Sequence, residues 1–121
     1  MSSDAIAGLH EVHNLLVSFG DAPDIRRAPV LEGAAEKVAA SATELVDVTE
    51  PEDLQMRLLW AVRSLEAARK AGRAHRRNPL TRPLSHARFA LRIGAAQGSL
   101  HVVLAALDPE NTPPVPVHEE K

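Results

Sequence analysis

Apolar and small residues recur along this chain at the three- and four-residue steps of an α-helix, in four segments separated by proline- and glycine-bearing breaks. In the first, about 4–19, Ile6, Leu9, Val12, His13, Leu16 and Phe19 fall on one broad arc. Ser2, Ser3 or Asp4 is placed to cap its start, and Gly20 stands where a helix C-terminus favours glycine. After the break "GDAPDIRRAP" a second helix is predicted over about 30–48. Leu31, Ala35, Val38, Ala42, Leu45 and Val46 form its apolar side, with Glu32, Glu36, Lys37 and Glu44 toward water. Thr49 and Glu52 form a capping-box pattern with Pro51 in the first turn, announcing a third helix that runs to about 71 and stops at Gly72. The fourth begins after Pro83, with Ser85 as candidate N-cap, and runs to about 107, where Asp108-Pro109 ends it.

No stretch shows the strict alternation of a strand. The expected fold is all-α, an antiparallel four-helix bundle occupying residues 1–107. Residues 108–121, "DPENTPPVPVHEEK", read as a proline-rich, acidic, disordered tail.

The last two helices carry more apolar surface than one bundle needs. On the third, Leu54, Leu58, Ala61, Leu65 and Ala68 suffice to close a core, while Met56, Leu59, Trp60 and Ala67 point elsewhere. On the fourth, Phe89, Ile93, Ala96, Leu100, Val103, Leu104 and Leu107 form the main face. Ala87, Ala90, Gly94, Gly98 and Ala105 make a smooth flank beside it, and Leu91 and Val102 a third patch. A helix that is apolar all round is buried all round. Two readings follow: Gly94 and Gly98 permit a close crossing within the chain, or the third and fourth helices meet their symmetry mates in a homodimer. The favoured reading is the homodimer, with Met56, Trp60, Leu91, Gly94, Gly98, His101 and Val102 at its interface.

Composition narrows the chemistry. With 121 residues the chain suits one domain. It has no cysteine, which removes disulfides, thiolate metal sites and thiol nucleophiles. No basic leader precedes an apolar run and no eighteen consecutive residues are apolar, so the expectation is a cytoplasmic protein without a membrane span. Two Phe, one Trp and no Tyr argue against a stacking platform for single-stranded nucleic acid.

Charge changes the picture most. Between Arg57 and Arg92 lie ten Lys or Arg and one acid, Glu66, a local formal charge of +9; four basic and fifteen acidic residues, −11, make up the rest. The stretch "RKAGRAHRRNPLTRP", residues 69–83, concentrates six of those cations with His75. Cations at the end of the third helix favour its dipole and can pair with acids on the first two helices. They can also meet phosphates, through counterion release, or an acidic protein surface. The candidate anion-contacting residues are Arg73, Arg76, Arg77 and Arg82, in a basic loop, with Arg88 and Arg92 at i, i+4. The net acidity of the whole chain and the lack of helix-turn-helix spacing weigh against a dedicated nucleic-acid reader.

Arg69 to His75 also matches R-x5-H, which resembles the R-x4-6-H signature of HEPN ribonucleases, small all-α dimers. That resemblance implies metal-independent RNA cleavage, with Arg69 stabilising the phosphate and His75 handling protons. Here Lys70 follows the arginine where the family prefers a polar, uncharged or acidic residue, and the motif leaves the end of a helix instead of starting one.

Other chemistry is sparse. His10 and His13 have an i, i+3 spacing that can present two imidazoles to a metal, with Glu11 or Glu44 as partners, but the Glu-x-x-His repeats of di-iron bundles are missing, and no metal or cofactor is expected. His101 beside Gln97 is a polar pair for an interface or a pocket. "RIGAAQGS" lies within a helix and is no phosphate loop, and no serine has a G-x-S-x-G setting. The expected function is binding, assembly or regulation, by a helical dimer whose arginine-rich half contacts an anionic partner; the alternative is the HEPN-like ribonuclease.

Overall fold

The computed structural model describes residues 2–20, 23–46 and 52–111, and among these the chain is helical throughout, with no strand. The α-helices are α1 (Ser2–Val17), α2 (Ala34–Glu44), α3 (Glu52–Arg77) and α4 (Arg82–Leu107). Three short 3-10 segments, Ile25–Leu31, Pro79–Thr81 and Pro109–Asn111, follow α1, α3 and α4. Consecutive helices pack together, α3 and α4 most extensively, and α1 meets α4.

The core is the set of apolar arcs expected from the periodicity. Leu9, Leu16, Leu31, Val38, Leu58, Leu65, Phe89, Ile93, Leu100 and Leu104 are buried in one cluster. Burying one such side chain contributes about 1.5–3 kcal/mol, so this cluster is the main favourable term in folding. At one end Phe19 meets Phe89 edge to face, with ring centroids 5.6 Å apart, and the Arg27 guanidinium covers the outer face of Phe19 at 4.7 Å.

Helix boundaries depart from the periodicity where backbone chemistry overrides it. The first helix already includes Ser2, so Asp4 lies inside its first turn instead of capping it. Gly20 has φ +71°, the left-handed value expected of it. The second helix is shorter than expected because its first part is a 3-10 segment. Asp24 caps that segment by accepting from the Arg26 amide at 3.0 Å, and Pro29, which has no N–H, sits inside it. Gly33, at φ +81°, then redirects the chain into α2. Leu31 is buried as expected, but from the 3-10 segment; Val46, expected in the apolar face, is 58% exposed. The capping pattern at Thr49 and Pro51 lies outside the described residues.

Two corrections move the basic region. Gly72 does not stop the third helix, which continues to Arg77. A Cβ at Gly72 would stand 2.5 Å from the Ala28 Cβ, so this glycine serves close packing of α3 against the 3-10 segment. Ser85 is likewise no cap: α4 starts at Arg82 and the serine is buried within it. Asn78 caps the Pro79–Thr81 segment that leads into α4, its side chain accepting from the Leu80 amide at 3.1 Å. At the far end, Asp108 is part of the folded chain and not of a disordered tail: its amide donates to the Leu104 carbonyl at 2.7 Å and its carboxylate meets His10 Nε2 at 2.9 Å. Residues 112–121 lie outside the described residues.

Candidate binding surfaces of the α3 and α4 pair

The side of α4 turned away from the core is apolar and uncovered. Leu84, Ala87, Leu91, Gly94, Ala95, Gly98, Val102 and Ala105 are all exposed, Leu91 to 69%, and helical geometry places them within about a third of the helix circumference. Residues 93–107 carry no charged side chain. By length and composition α4 is, among the described residues, apolar enough to cross a membrane, although its apolar run is broken and 33% of its apolar window is buried in the fold. Gly94 and Gly98 do not serve a crossing within the chain, since a Cβ built on either meets nothing within 4 Å. On α3, Met56 and Trp60 are 63% and 58% exposed and line, with Leu59, Arg57 and Arg63, a shallow depression of about 340 Å³. His101 departs from this set. Its ring lies half-buried, 5.8 Å from that of His13, against α1.

The cations divide into paired and unpaired. Arg69 reaches Glu32 at 2.6 Å, Lys37 reaches Glu11 at 2.8 Å, and Arg26 reaches Asp24 at 3.0 Å, where its hydrogen bonds hold the Asp24 carboxyl below the usual range. Among the described residues, Lys70, Arg73, Arg76, Arg77, Arg82, Arg88 and Arg92 form no ion pair. Pairing with acids of the first two helices, one of the explanations of the basic run, therefore holds for Arg69 and for none of these seven. The dipole explanation fits the chain ending of α3, whose last turn carries His75, Arg76 and Arg77. Arg73, Arg76 and Arg77 belong to the helix and not to a loop, and Arg82 is tied back by donating from Nε to the His75 carbonyl at 3.1 Å. Arg88 and Arg92 turn into a cleft between α3 and α4, together with Lys70, Ala67, Ala71, Ala74 and Ser85. Only the Arg88 and Arg92 stripe was visible in the sequence. Lys70, on the predicted third helix, joins it through the packing of α3 against α4, which leaves no local signal.

Arg69 and His75 stand six residues apart on one helix, so their side chains leave it about 120° apart and about 9 Å along the axis. Within one chain they share no face, and Glu32 occupies the arginine. His75 Nδ1 is buried without a hydrogen-bond partner.

Three other histidines, His10, His13 and His101, form a separate group where α1 meets α4. His10 is fixed by Asp108, a tether that nothing in the sequence pattern announced, and His13 is buried beside His101. Burial first, then the facing His101 and His10, hold the His13 pKa below the ordinary histidine value. Among the described residues no group of three or more His, Asp or Glu is placed to hold a metal ion. Comparison with known proteins yields no likeness: no family model, curated protein or solved structure matches this chain.

Proposed function

We propose that this chain is a binding and assembly protein, an antiparallel four-helix bundle that associates in pairs through the outer side of α4 and of the α3 segment carrying Met56 and Trp60, and presents its arginine-rich end to an anionic partner. The observation that carries this reading is the exposed, charge-free arc of α4 around Gly94 and Gly98. Soluble proteins rarely leave a contiguous apolar surface of this kind without a partner. The bundle topology is supported by the packing of consecutive helices and by the four-residue connection, 78–81, between the extensively packed α3 and α4, which favours an antiparallel pair.

A second copy fits the arc because an isologous contact needs a self-complementary surface. Two α4 helices crossing antiparallel near Gly94 and Gly98 approach closely over hydrogens instead of side chains. They also set the basic first turns of one, with Arg82, Arg88 and Arg92, beside the end of the other, where Asp108 and Glu110 follow. Parallel pairing would stack two cationic ends and is disfavoured by like-charge repulsion.

Sedimentation equilibrium at micromolar concentration tests this. Wild type sediments as a dimer, and Leu91→Glu as a monomer with unchanged helical circular dichroism. A wild-type monomer would remove the dimer from the reading.

A further inference from the structure

We infer that the cleft framed by Lys70, Arg88 and Arg92 binds a phosphate monoester whose apolar group lies on the floor made by Ala67, Ala71 and Ala74. This deepens, and rests on, the reading of the basic end as a surface for anions. The cleft is concave, about 380 Å³, and bounded by two helices packed along their length. That size lies within the range of small-molecule sites, which combine a mainly apolar lining with a few convergent polar groups. The alanines supply the first and leave the room; the three cations supply the second.

Charge selects the ligand class. Three cations from two helices meet at one opening, and no acid of the described residues neutralises any of them. Like charges gathered at one opening favour a compact ligand carrying more than one negative charge. A phosphate monoester holds close to two at neutral pH, and a carboxylate holds one. Arg88 and Arg92, one helical turn apart, can each offer a planar fork of N–H donors to phosphate oxygens, and Lys70 a point charge from the opposite wall. Ser85 lines the same wall as Arg88 with its side chain largely buried. The alanine lining fits a ligand with a small apolar body better than a continuous phosphodiester strand, which Arg73, Arg76 and Arg77, exposed at the end of α3, would meet first.

Isothermal titration with phenyl phosphate, inorganic phosphate and benzoate tests the assignment, with a fluorescent single-stranded oligonucleotide lacking terminal phosphates as the polyanion. Phenyl phosphate is expected to bind about tenfold or more tighter than inorganic phosphate or benzoate. Lys70→Gln combined with Arg88→Gln and Arg92→Gln should abolish that binding. The triple change Arg73→Gln, Arg76→Gln, Arg77→Gln should leave it within about twofold. Ala74→Leu, which fills the floor without touching charge, should remove the preference for phenyl phosphate while inorganic phosphate still binds. Unfolding midpoints of each variant separate lost binding from lost fold. If the Arg73, Arg76, Arg77 variant loses as much phenyl phosphate binding as the cleft variant, or if the oligonucleotide binds and phenyl phosphate does not, the cleft assignment is overturned and the wider anion reading survives. If neither ligand binds, both fall.

Discussion

The inner and outer sides of α3 and α4 are built from the same residue types and end in opposite states. Leu58, Ala61 and Leu65 on α3 and Phe89, Ile93, Ala96 and Leu100 on α4 are at most 1% exposed; Met56, Trp60, Leu84, Leu91 and Val102 on the same helices are 40% exposed or more. The inner side is matched by α1, α2 and the Ile25–Leu31 segment. On the outer side no element of the described chain returns to cover it. The same division holds for charge: Arg26, Lys37 and Arg69 have carboxylates, whereas the seven cations from Lys70 to Arg92 have none among the described residues. Burial is set by whether a complementary surface exists, not by the helix's own composition.

The comparison breaks most visibly at two neighbouring positions of α4. Phe89→Ala empties a site that is 0% exposed, and such a cavity costs about 3–5 kcal/mol, a large share of the 5–15 kcal/mol typical of a small domain. Leu91→Ala removes a similar apolar mass from a site 69% exposed, so the fold of a single chain should change by no more than about 0.5 kcal/mol. Urea unfolding over a hundredfold range of protein concentration reads both. Phe89→Ala should lower the midpoint at every concentration, and Leu91→Ala should chiefly remove the concentration dependence that association confers. A midpoint of the wild type that ignores concentration would mean the outer side has no partner in a second copy.

Glycines sharpen the same contrast at intermediate size. Gly72→Ala drives a methyl to 2.5 Å from the Ala28 Cβ and should cost about 1–3 kcal/mol through overpacking. At Gly98 the same change enters open space, where an alanine gains up to about 1 kcal/mol of helix propensity in the isolated chain. In an associated pair the sign reverses at that position if the backbones meet there. Thermal unfolding of Gly98→Ala at low and high concentration checks this: stabilised when dilute, weakened in the dimer when concentrated.

The contrast also marks what the sequence revealed. Periodicity exposed the inner arcs nearly residue by residue, since a 3.6-residue period and a buried stripe are the same constraint. It exposed the surplus apolar surface too, but left an inner crossing at Gly94 and Gly98 open beside the favoured outer one; a Cβ built on either meets nothing within 4 Å. Boundaries were harder, because glycine and proline act in more than one way. Gly72 resembles a helix stop and is a packing contact, and Pro29 resembles a break and lies inside a helical turn. With α3 ending at Gly72 the arginines beyond it read as a loop, and the cleft of Lys70, Arg88 and Arg92 leaves no local signal because it is made where α3 packs against α4. The His10 tether to Asp108 spans 98 positions and leaves no local signal.

The histidine group provides the smallest expected effect, confined to the inner side. His13 faces His101 from α4 and His10 from its own helix, with Asp108 on the far side of His10. Its pKa is lowered in the fold, mainly by burial, so the folded chain holds the neutral imidazole and the unfolded chain takes up the proton first. The sign follows: stability is unaffected well above the ordinary histidine pKa of about 6.5 and falls as pH drops through it, because the unfolded state then binds more protons. His13→Gln keeps a polar side chain of similar size without a titrating charge. Thermal midpoints measured from pH 7.5 to 5 should fall more steeply in wild type than in the variant, by less than the loss from Phe89→Ala. His101→Gln should flatten the slope in part, since it removes one of the two facing imidazoles. Equal slopes in wild type and His13→Gln would show that the proton linkage lies elsewhere in the fold, and that the contact between α1 and α4 is insensitive to the charge state of its histidines.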